Sequence, residues 1–186
     1  MKFDLAETSE DDHMDKSIRK LFTDDLFTKA LAIYAIKPED SQILDGFESF
    51  IYQVNKGGEE YILRVGHDHR RAEDQVYAEA DFLNYLARCG LSVPKVLPTL
   101  EGQLVGSIPA ADKSHFVTAL FTKAPGFPPK REFWKPELFE RMGAFLGRLH
   151  HFSKAYQPNE NAPKRYSFDT DAKAMLIAAE KFLPAD

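Results

Sequence analysis

The spacing of apolar residues changes along the chain and divides it into helical and extended parts. Between about Asp12 and Tyr34, apolar residues recur every three or four positions, which predicts one long amphipathic helix with Asp11 or Asp12 as its N-cap. From Ser41 onward, apolar and polar residues alternate in short segments rich in β-branched and aromatic side chains, a pattern typical of strands. The chain is therefore expected to begin as a helix and to continue as a sheet.

Five segments show the strand pattern: residues 41–46, 48–54, 59–65, 103–108 and 114–121. Gly46 is expected to form the turn between the first two strands, and Gly57 with Gly58 the turn before the third. Because short glycine turns join antiparallel neighbours, these three strands are predicted to form a meander. The sheet is therefore expected to be antiparallel and five-stranded.

Helical spacing returns in three later segments. One helix is predicted over residues 72–89 and is followed by an extended connector, Val93–Pro98. Another begins at Pro136, which suits the first turn of a helix, and runs to about Ser153. A last helix is predicted at about Asp169–Phe182. The second half of the chain is thus expected to end in a helical hairpin.

A stretch rich in glycine and proline, residues 123–129, sets the predicted domain boundary. Residues 1–40 are expected to form a helical extension and residues 41–122 a lobe built on the sheet. Residues 123–129 would then be a joint, and residues 130–186 the start of a helical lobe. The predicted fold class is α+β.

The charge balance argues against two classes of partner. Lysine and arginine total 24 against 29 aspartate and glutamate residues, a formal net charge of -5. Proteins that bind nucleic acid or anionic lipid usually carry a strongly basic surface, so neither a nucleic-acid partner nor membrane attachment is expected. The single cysteine, Cys89, cannot form an internal disulfide, which favours a reducing compartment and a cytoplasmic location.

Candidate chemistry lies in three features that follow one another along the chain. A glycine turn at Gly46 is followed by a cation, Arg64, on the third strand and by a carboxylate, Glu79, on the next helix. Backbone N–H groups at a glycine turn can approach phosphates closely, and a cation held by a carboxylate can neutralise a triphosphate. The alternatives are that Arg64 and Glu79 form an ordinary surface ion pair and that Gly46 merely completes a hairpin.

This ordered set resembles the N-terminal lobe of the aminoglycoside phosphotransferase and choline kinase family, the small-molecule relatives of protein kinases. Three further stretches share its motifs: Leu91-Ser-Val-Pro-Lys-Val-Leu97, Phe121-Thr-Lys-Ala-Pro-Gly126 and Gly143-Ala-Phe-Leu-Gly-Arg-Leu-His150. The resemblance implies a protein-kinase-like N-lobe, here with a long N-terminal helix, followed by a hinge and a helical hairpin from the beginning of the C-lobe. It implies an ATP-dependent phosphotransferase that acts on a small-molecule hydroxyl.

The resemblance also implies site residues by position. The turn at Gly46 would cover the phosphates of ATP, Arg64 would take the family's lysine position opposite Glu79, and backbone groups of Thr122 and Ala124 would meet adenine. Arginine stands where many members have lysine, and the turn has a single glycine, so a looser hold on phosphate is expected. With Phe121 lining the pocket, the implied ATP-binding residues are Gly46, Phe47, Ser49, Arg64, Glu79, Phe121, Thr122 and Ala124.

The family's catalytic loop is missing from the sequence. Members carry His-Gly-Asp-x-x-x-x-Asn and a metal-binding aspartate, but the histidines after residue 115 are His150 and His151, and neither begins such a loop. No catalytic residue and no metal ligand is therefore assigned here, and the Mg²⁺ ligands are expected in a C-terminal part that the chain lacks. As an N-terminal fragment of a longer kinase, it is expected to bind nucleotide weakly and to transfer nothing by itself.

The alternative function is a non-catalytic nucleotide-binding or interaction module, similar to a pseudokinase. Such a module would form a homodimer through the apolar surface of its last helices. For the kinase, the partners expected are a nucleotide and a small-molecule acceptor. An aminoglycoside, choline, a homoserine-like amino acid and a protein hydroxyl all stay open as acceptors.

Two side-chain clusters have competing interpretations. His67, His69, Arg70 and Arg71 are expected to lie in a solvated loop, with a phosphate contact by Arg70 or Arg71 as the alternative and a zinc site disfavoured. A group of aromatic residues is expected to belong to the core rather than to a ligand-binding box: Phe121, Phe127, Phe133, Trp134 and Phe139.

Overall fold

A six-stranded antiparallel sheet forms the centre of the computed structural model, which describes residues 15–44, 46–126, 130–131, 134–159, 162, 173 and 176–177. The strands are β1 (Ser41–Leu44), β2 (Phe50–Lys56), β3 (Glu59–His67), β4 (Val96–Leu97), β5 (Gly106–Pro109) and β6 (His115–Thr122). The helices are α1 (Lys16–Leu21), α2 (Asp24–Ala32), α3 (Glu73–Arg88) and α4 (Pro136–Ser153). The order across the sheet is β1-β2-β3-β6-β4, and β5 also pairs with β6. The predicted α+β class is confirmed.

The sheet has one strand more than the five predicted, because part of the extended connector joins it as β4. The side chain of Asn84 on α3 bonds both the N–H and the carbonyl of Val96, at 2.8 and 3.0 Å. Val96 then pairs with Phe121 on β6. A strand of two residues is too short to show alternation, so its sequence pattern could not distinguish it from an extended loop.

The single long helix predicted between residues 12 and 34 is wrong, because the chain breaks into α1 and α2 at Phe22 and Thr23. Thr23 has extended backbone angles, φ -88° and ψ 166°, and its Oγ1 accepts the Leu26 N–H at 3.4 Å, so it caps α2. The break turns Phe22 towards the sheet, where its ring stacks on Phe50 with centroids 4.3 Å apart. Tertiary packing thus overrides the continuous helical spacing.

The N-cap of the first helix also differs from the prediction. Asp15 caps α1, and its carboxylate accepts the Ser17 N–H at 2.8 Å. This bond to the charged form lowers the pKa of Asp15. The predicted caps, Asp11 and Asp12, lie outside the described residues.

One face of the sheet, which we call the core face, is closed by α1 and α2. Its side chains are each at most 6% exposed. Seven residues from Ile18 to Tyr34 pack against them in one apolar cluster, so the predicted helical extension shares its core with the sheet. The core face consists of Phe50, Tyr52, Val54, Leu63, Val65, Ile108, Phe116 and Leu120.

The opposite face, which we call the site face, is only partly covered. The strand register places Leu44, Ile51, Ile62, Arg64, Ala119 and Phe121 on this side. Helix α3 covers the part built from β6 and β4, where Val76 and Ala80 pack against Val96, Val117 and Ala119. Over β1, β2 and the first part of β3, the site face carries half-buried side chains that lie outside the apolar cluster under α3.

Helix α3 ends close to its predicted boundary through a glycine. Gly90 has φ +82°, its N–H donates to Ala87 O at 3.0 Å, and the Leu91 N–H donates to Leu86 O at 3.1 Å. These two bonds form a Schellman motif, in which buried Leu86 and Leu91 come together. The motif fixes where the chain leaves α3 for β4.

Helix α4 has the predicted bounds and contacts α3 near its C-terminal end. The Tyr85 hydroxyl donates to Phe152 O at 3.0 Å, and the Tyr156 hydroxyl donates to Asp81 Oδ2 at 2.6 Å. The helix predicted at residues 169–182 lies almost entirely outside the described residues. Within the described part of the chain, none of the helices has the length and apolar character needed to span a bilayer.

Candidate functional site

Arg64 and Glu79 meet on the site face in a two-point ion pair. Arg64 Nη1 lies 3.0 Å from Glu79 Oε1, and Nη2 lies 2.8 Å from Oε2. The side chains are 24% and 23% exposed, so water screens this pair less than an ordinary surface pair. Two parallel N–H···O bonds fix the orientation of the guanidinium as well as its distance.

The local sequence explains why these two groups face each other. Alternation along β3 sends Leu63 and Val65 to the core face and Arg64 to the site face. On α3, Glu79 lies three residues after Val76, so both are on the side that faces the sheet. Arg64 Cζ also lies 4.9 Å from the centroid of the Phe121 ring, a cation–π contact that holds the guanidinium from below.

A second arginine shares the same carboxylate. Arg71 Nη1 lies 3.2 Å from Glu79 Oε2, and the neighbouring Arg70 Nη2 lies 2.9 Å from Glu48 Oε1 on the glycine turn. The side chains of Arg70 and Arg71 are 51% and 61% exposed, as expected of a solvated loop. Arg71 nevertheless pairs with Glu79, the partner of Arg64, and Arg70 pairs with Glu48 on the glycine turn. The sequence pattern did not reveal these two ion pairs.

The turn that contains Gly46 folds against the ends of β2 and β3. A Cβ at Gly46 would overlap Ser49 O and lie 3.0 Å from Ile51 Cγ1, so the turn in this form requires glycine. A Cβ at Gly66 would make an ordinary contact, 3.4 Å, with Ser49 Oγ. Since Ile51 pairs with Arg64 across the β2–β3 ladder, the turn lies at the end of the ladder next to the Arg64 backbone.

Half-buried apolar residues extend the site away from the ion pair. Leu44 pairs with Ile51, Ile51 with Arg64, and Ile62 with Phe121, so these side chains form adjoining rows on the site face. Sequence analysis did not single out Leu44, Ile51 or Ile62. Ile62 lies two positions before Arg64 on the same strand, so alternation alone places it on this face, whereas Leu44 and Ile51 follow only from the pairing register.

At the end of β6, just before the predicted hinge, Thr122 forms hydrogen bonds within the protein. The Thr122 N–H donates to Lys95 O at 2.8 Å, and Thr122 Oγ1 accepts the Lys95 N–H at 2.9 Å. Both bonds tie β6 to the chain entering β4, so the Thr122 N–H is used within the protein. Ala124 is exposed just after the strand ends. Phe47, on the glycine turn, is 61% exposed.

The prediction that His67 lies in a solvated loop is wrong, because its side chain is only 7% exposed. Its Nε2 lies 2.9 Å from Ser114 Oγ, and its Nδ1 accepts the His69 N–H at 3.2 Å. A cavity of about 570 Å³ reaches this ring and is lined on one side by Ile18 and Val65 and on the other by Glu48 and Arg70, the ion pair at the glycine turn. No cluster of three or more potential metal ligands occurs in the part of the chain that the structure describes.

The predicted aromatic cluster does not form one core. Phe121 is half-buried beneath Arg64, but Trp134 and Phe139 are 62% and 52% exposed, with ring centroids 6.1 Å apart. The core interpretation is therefore wrong for Trp134 and Phe139. Phe127 and Phe133 lie outside the described residues.

Comparison with known proteins identifies the family of this chain. The sequence model of the phosphotransferase enzyme family, APH, matches residues 40–180. The chain belongs to this family. Amicoumacin kinase of Bacillus subtilis (strain 168) is 31% identical over 172 residues, which are 92% of this chain and 50% of that kinase. The chain thus spans about half the length of this curated relative. The family resemblance inferred from the sequence motifs is confirmed.

Two solved structures share the fold. Amicoumacin kinase hAmiN in complex with AMP-PNP, Ca²⁺ and Ami superposes with a TM-score of 0.80 at 29% identity, over 93% of this chain and 52% of that one. The microcompartment-associated aminopropanol kinase gives a TM-score of 0.62 at 20% identity, over 84% of this chain and 55% of that one. These similarities confirm the predicted kinase-like fold.

Proposed function

We propose that this chain supplies the ATP-binding lobe of a phosphotransferase that moves the γ-phosphate of ATP to a hydroxyl of a small molecule. The observation that supports it most is the two-point Arg64–Glu79 ion pair, seated on Phe121 beside a turn that requires glycine. An ordinary hairpin needs none of these features together. A triphosphate site requires close backbone approach and a fixed cation, and these features together can supply both.

The phosphates would lie between the Gly46–Ser49 turn and Arg64. A Cβ at Gly46 would overlap Ser49 O, so this glycine keeps the turn tight against β2. Arg64 has five N–H donors, of which two bond Glu79, and the guanidinium fork can reach phosphate oxygens while it stays anchored. The residues of the turn thus position the phosphates, and Arg64 neutralises them.

The base would lie over the apolar part of the site face. Ile51 and Ile62 are half-buried and lie outside the apolar cluster under α3, and such surfaces accept a flat aromatic ring. The Thr122 carbonyl would accept the adenine amino group, since its N–H already bonds Lys95. The exposed N–H of Ala124 would donate to a ring nitrogen.

A divalent cation would neutralise charge that develops on the transferred phosphate. The described residues provide no ligand cluster for it, so its ligands and the general base are assigned to residues other than the described ones. The solved amicoumacin kinase is a complex with both AMP-PNP and Ca²⁺, which supports ATP with a divalent metal, Mg²⁺ in our proposal. The acceptor would be a small molecule with a hydroxyl, in line with the substrates named for the related kinases.

The test is nucleotide binding by the full-length protein and its variants. Arg64→Ala and Glu79→Ala should each weaken ATP about tenfold or more, because each breaks the charge-assisted pair that holds the cation. Arg88→Ala, at the far end of α3, is the matched control and should bind like the parent. Isothermal titration calorimetry measures all four proteins. Parent-like binding by both site variants would falsify this placement of the site.

A second candidate function, the interaction module, is favoured by one observation on α4. Phe139, Met142 and Leu146 are 50–52% exposed at helical spacing, on one side of the helix. We propose a second copy of this chain as the occupant of that surface. Light scattering after size exclusion should then show a dimer that Leu146→Glu dissociates. A monomer at all concentrations would contradict the interaction module and leave the kinase proposal intact.

A further inference from the structure

The Glu79 carboxylate has two arginine partners, and the proposed phosphate contacts use only one of them. Arg64 reaches both carboxylate oxygens, at 3.0 and 2.8 Å, whereas Arg71 reaches Oε2 alone, at 3.2 Å. Arg71 belongs to the loop between β3 and α3, and its side chain is 61% exposed. It therefore lies at the rim of the site, whereas Arg64 lies inside.

We propose that Arg71 is a positioning residue for phosphate binding, which holds Glu79 while Arg64 engages the triphosphate. This inference rests on the proposed function. Arg71 acts by holding Glu79 and by adding positive charge to the group formed by Arg64, Glu79 and Arg71. It takes no part in the phosphoryl transfer itself.

The charge count supports the inference. Arg64 and Glu79 alone form a neutral pair, which offers a polyanion no net charge. With Arg71 included, two cations share one carboxylate, and the group carries a net charge of +1. A net positive group on a half-buried face attracts a polyanion, whereas a neutral pair does not.

The geometry supports it as well. If phosphate draws Arg64 Nη2 away from Glu79, Oε2 loses its Arg64 bond, while Nη1 stays on Oε1 and keeps the guanidinium anchored. Arg71 already bonds Oε2, so that oxygen keeps a partner and α3 stays in place. Without Arg71, the same movement would remove a charged donor from Oε2 with no second arginine to replace it, and the hold of Glu79 on this side of α3 would weaken.

The chemistry of the two arginines differs in a way that an experiment can use. Arg71 donates a single bond, which a lysine ammonium can also provide. Arg64 donates two bonds in a fork and lies over the Phe121 ring, which a lysine reproduces poorly. Rescue by lysine is therefore expected at position 71 and is diagnostic of a positioning charge.

The experiment measures binding of AMP-PNP and of adenosine to the full-length protein by calorimetry. Arg71→Gln should weaken AMP-PNP about tenfold at about 50 mM salt and less at about 200 mM, because added salt screens an exposed charge. Arg71→Lys should bind within about twofold of the parent. Arg88→Gln removes the same charge at the far end of α3, and should have no effect.

Adenosine separates positioning from folding, because it carries no phosphate. Its affinity should be the same in the parent and in Arg71→Gln. Equal weakening of adenosine and AMP-PNP would show a structural role for Arg71 and overturn the inference, as would parent-like AMP-PNP binding by Arg71→Gln. If the parent itself does not bind AMP-PNP, the proposed function fails, and the inference fails with it.

Discussion

The two faces of the sheet differ in accessibility although the same strands build both. On the core face, Leu63 and Val65 of β3 are 0% exposed beneath α1 and α2. Between them in the sequence, Arg64 points to the site face and remains 24% exposed. The neighbouring Ile62 is half-buried. One face thus contributes stability, and the other leaves room for a ligand.

This difference shows how a fold can present a charge at intermediate burial. A fully buried guanidinium would cost several kcal/mol to desolvate, and a fully exposed one would be screened by water and salt. The partial cover of α3 places Arg64 between these limits, with Glu79 and Phe121 as fixed partners. A site for an anion benefits from this, because the charge is both strong and reachable.

Truncation of neighbouring residues on β3 should separate the two faces most clearly. Leu63→Ala on the core face should lower the free energy of unfolding by about 2–5 kcal/mol, because it leaves a cavity among fully buried side chains. Ile62→Ala on the site face should cost about 1 kcal/mol, because its side chain is already partly in water. Urea denaturation measures both, and similar losses would contradict the division into a core face and a site face.

Alanine substitutions at Gly46 and Gly66 should show whether the tight packing of the turn matters for ATP affinity. Gly46→Ala brings a Cβ into overlap with Ser49 O, so the turn must shift, and ATP affinity should fall about tenfold. Gly66→Ala places its Cβ at 3.4 Å from Ser49 Oγ, an ordinary contact, and should bind ATP within about twofold of the parent. Calorimetry with ATP compares them. Equal affinities would show that the turn does not touch the phosphates.

Much of the sheet and of helices α3 and α4 could be predicted from the sequence, because their local signals agree with their tertiary environment. The meander shows alternation and glycine turns, and α4 begins at Pro136 and ends at Ser153 as its spacing indicates. The Arg64–Glu79 ion pair could also be predicted from the sequence, since the two residues are 15 positions apart on a strand and the next helix. That these residues bind nucleotide stays a prediction.

The features that sequence analysis missed depend on contacts between distant segments. The break at Thr23 follows from Phe22 turning onto Phe50, a contact between residues far apart in the sequence. The strand at Val96 depends on the Asn84 side chain, which no local pattern reveals. The link from Arg71 to Glu79 depends on how the loop enters α3, because eight positions separate the two residues.

A buried hydroxyl on the core face should make stability depend on alkaline pH. Burial raises the pKa of Tyr34 to about 12 from 10.0, and its hydroxyl donates to Thr118 O at 3.1 Å. Folding thus favours the neutral phenol, so its contribution is complete below pH 10 and is lost as the pH rises towards 12. Burial raises the pKa of Tyr52 as well. Tyr34→Phe should cost about 1 kcal/mol near neutral pH and weaken, without abolishing, the alkaline decline. Urea denaturation across that range measures this, and an unchanged decline would argue against a buried phenol at position 34.

The smallest effect is expected from an ion pair at the other end of the sheet. Lys123 Nζ lies 2.7 Å from Glu60 Oε2, a shorter separation than either Arg64–Glu79 bond, but the two side chains are 37% and 50% exposed. Because exposure and side-chain entropy offset most of the attraction, Glu60→Gln should change the free energy of unfolding by at most about 0.5 kcal/mol and leave ATP affinity unchanged. Glu79→Gln, the matched change on the site face, should weaken ATP about tenfold, because it removes the charge that orients Arg64. Similar effects of the two substitutions would mean that the difference in exposure between the two ion pairs has no consequence. The contribution of the Arg64–Glu79 pair to ATP affinity would then not depend on its position beneath α3.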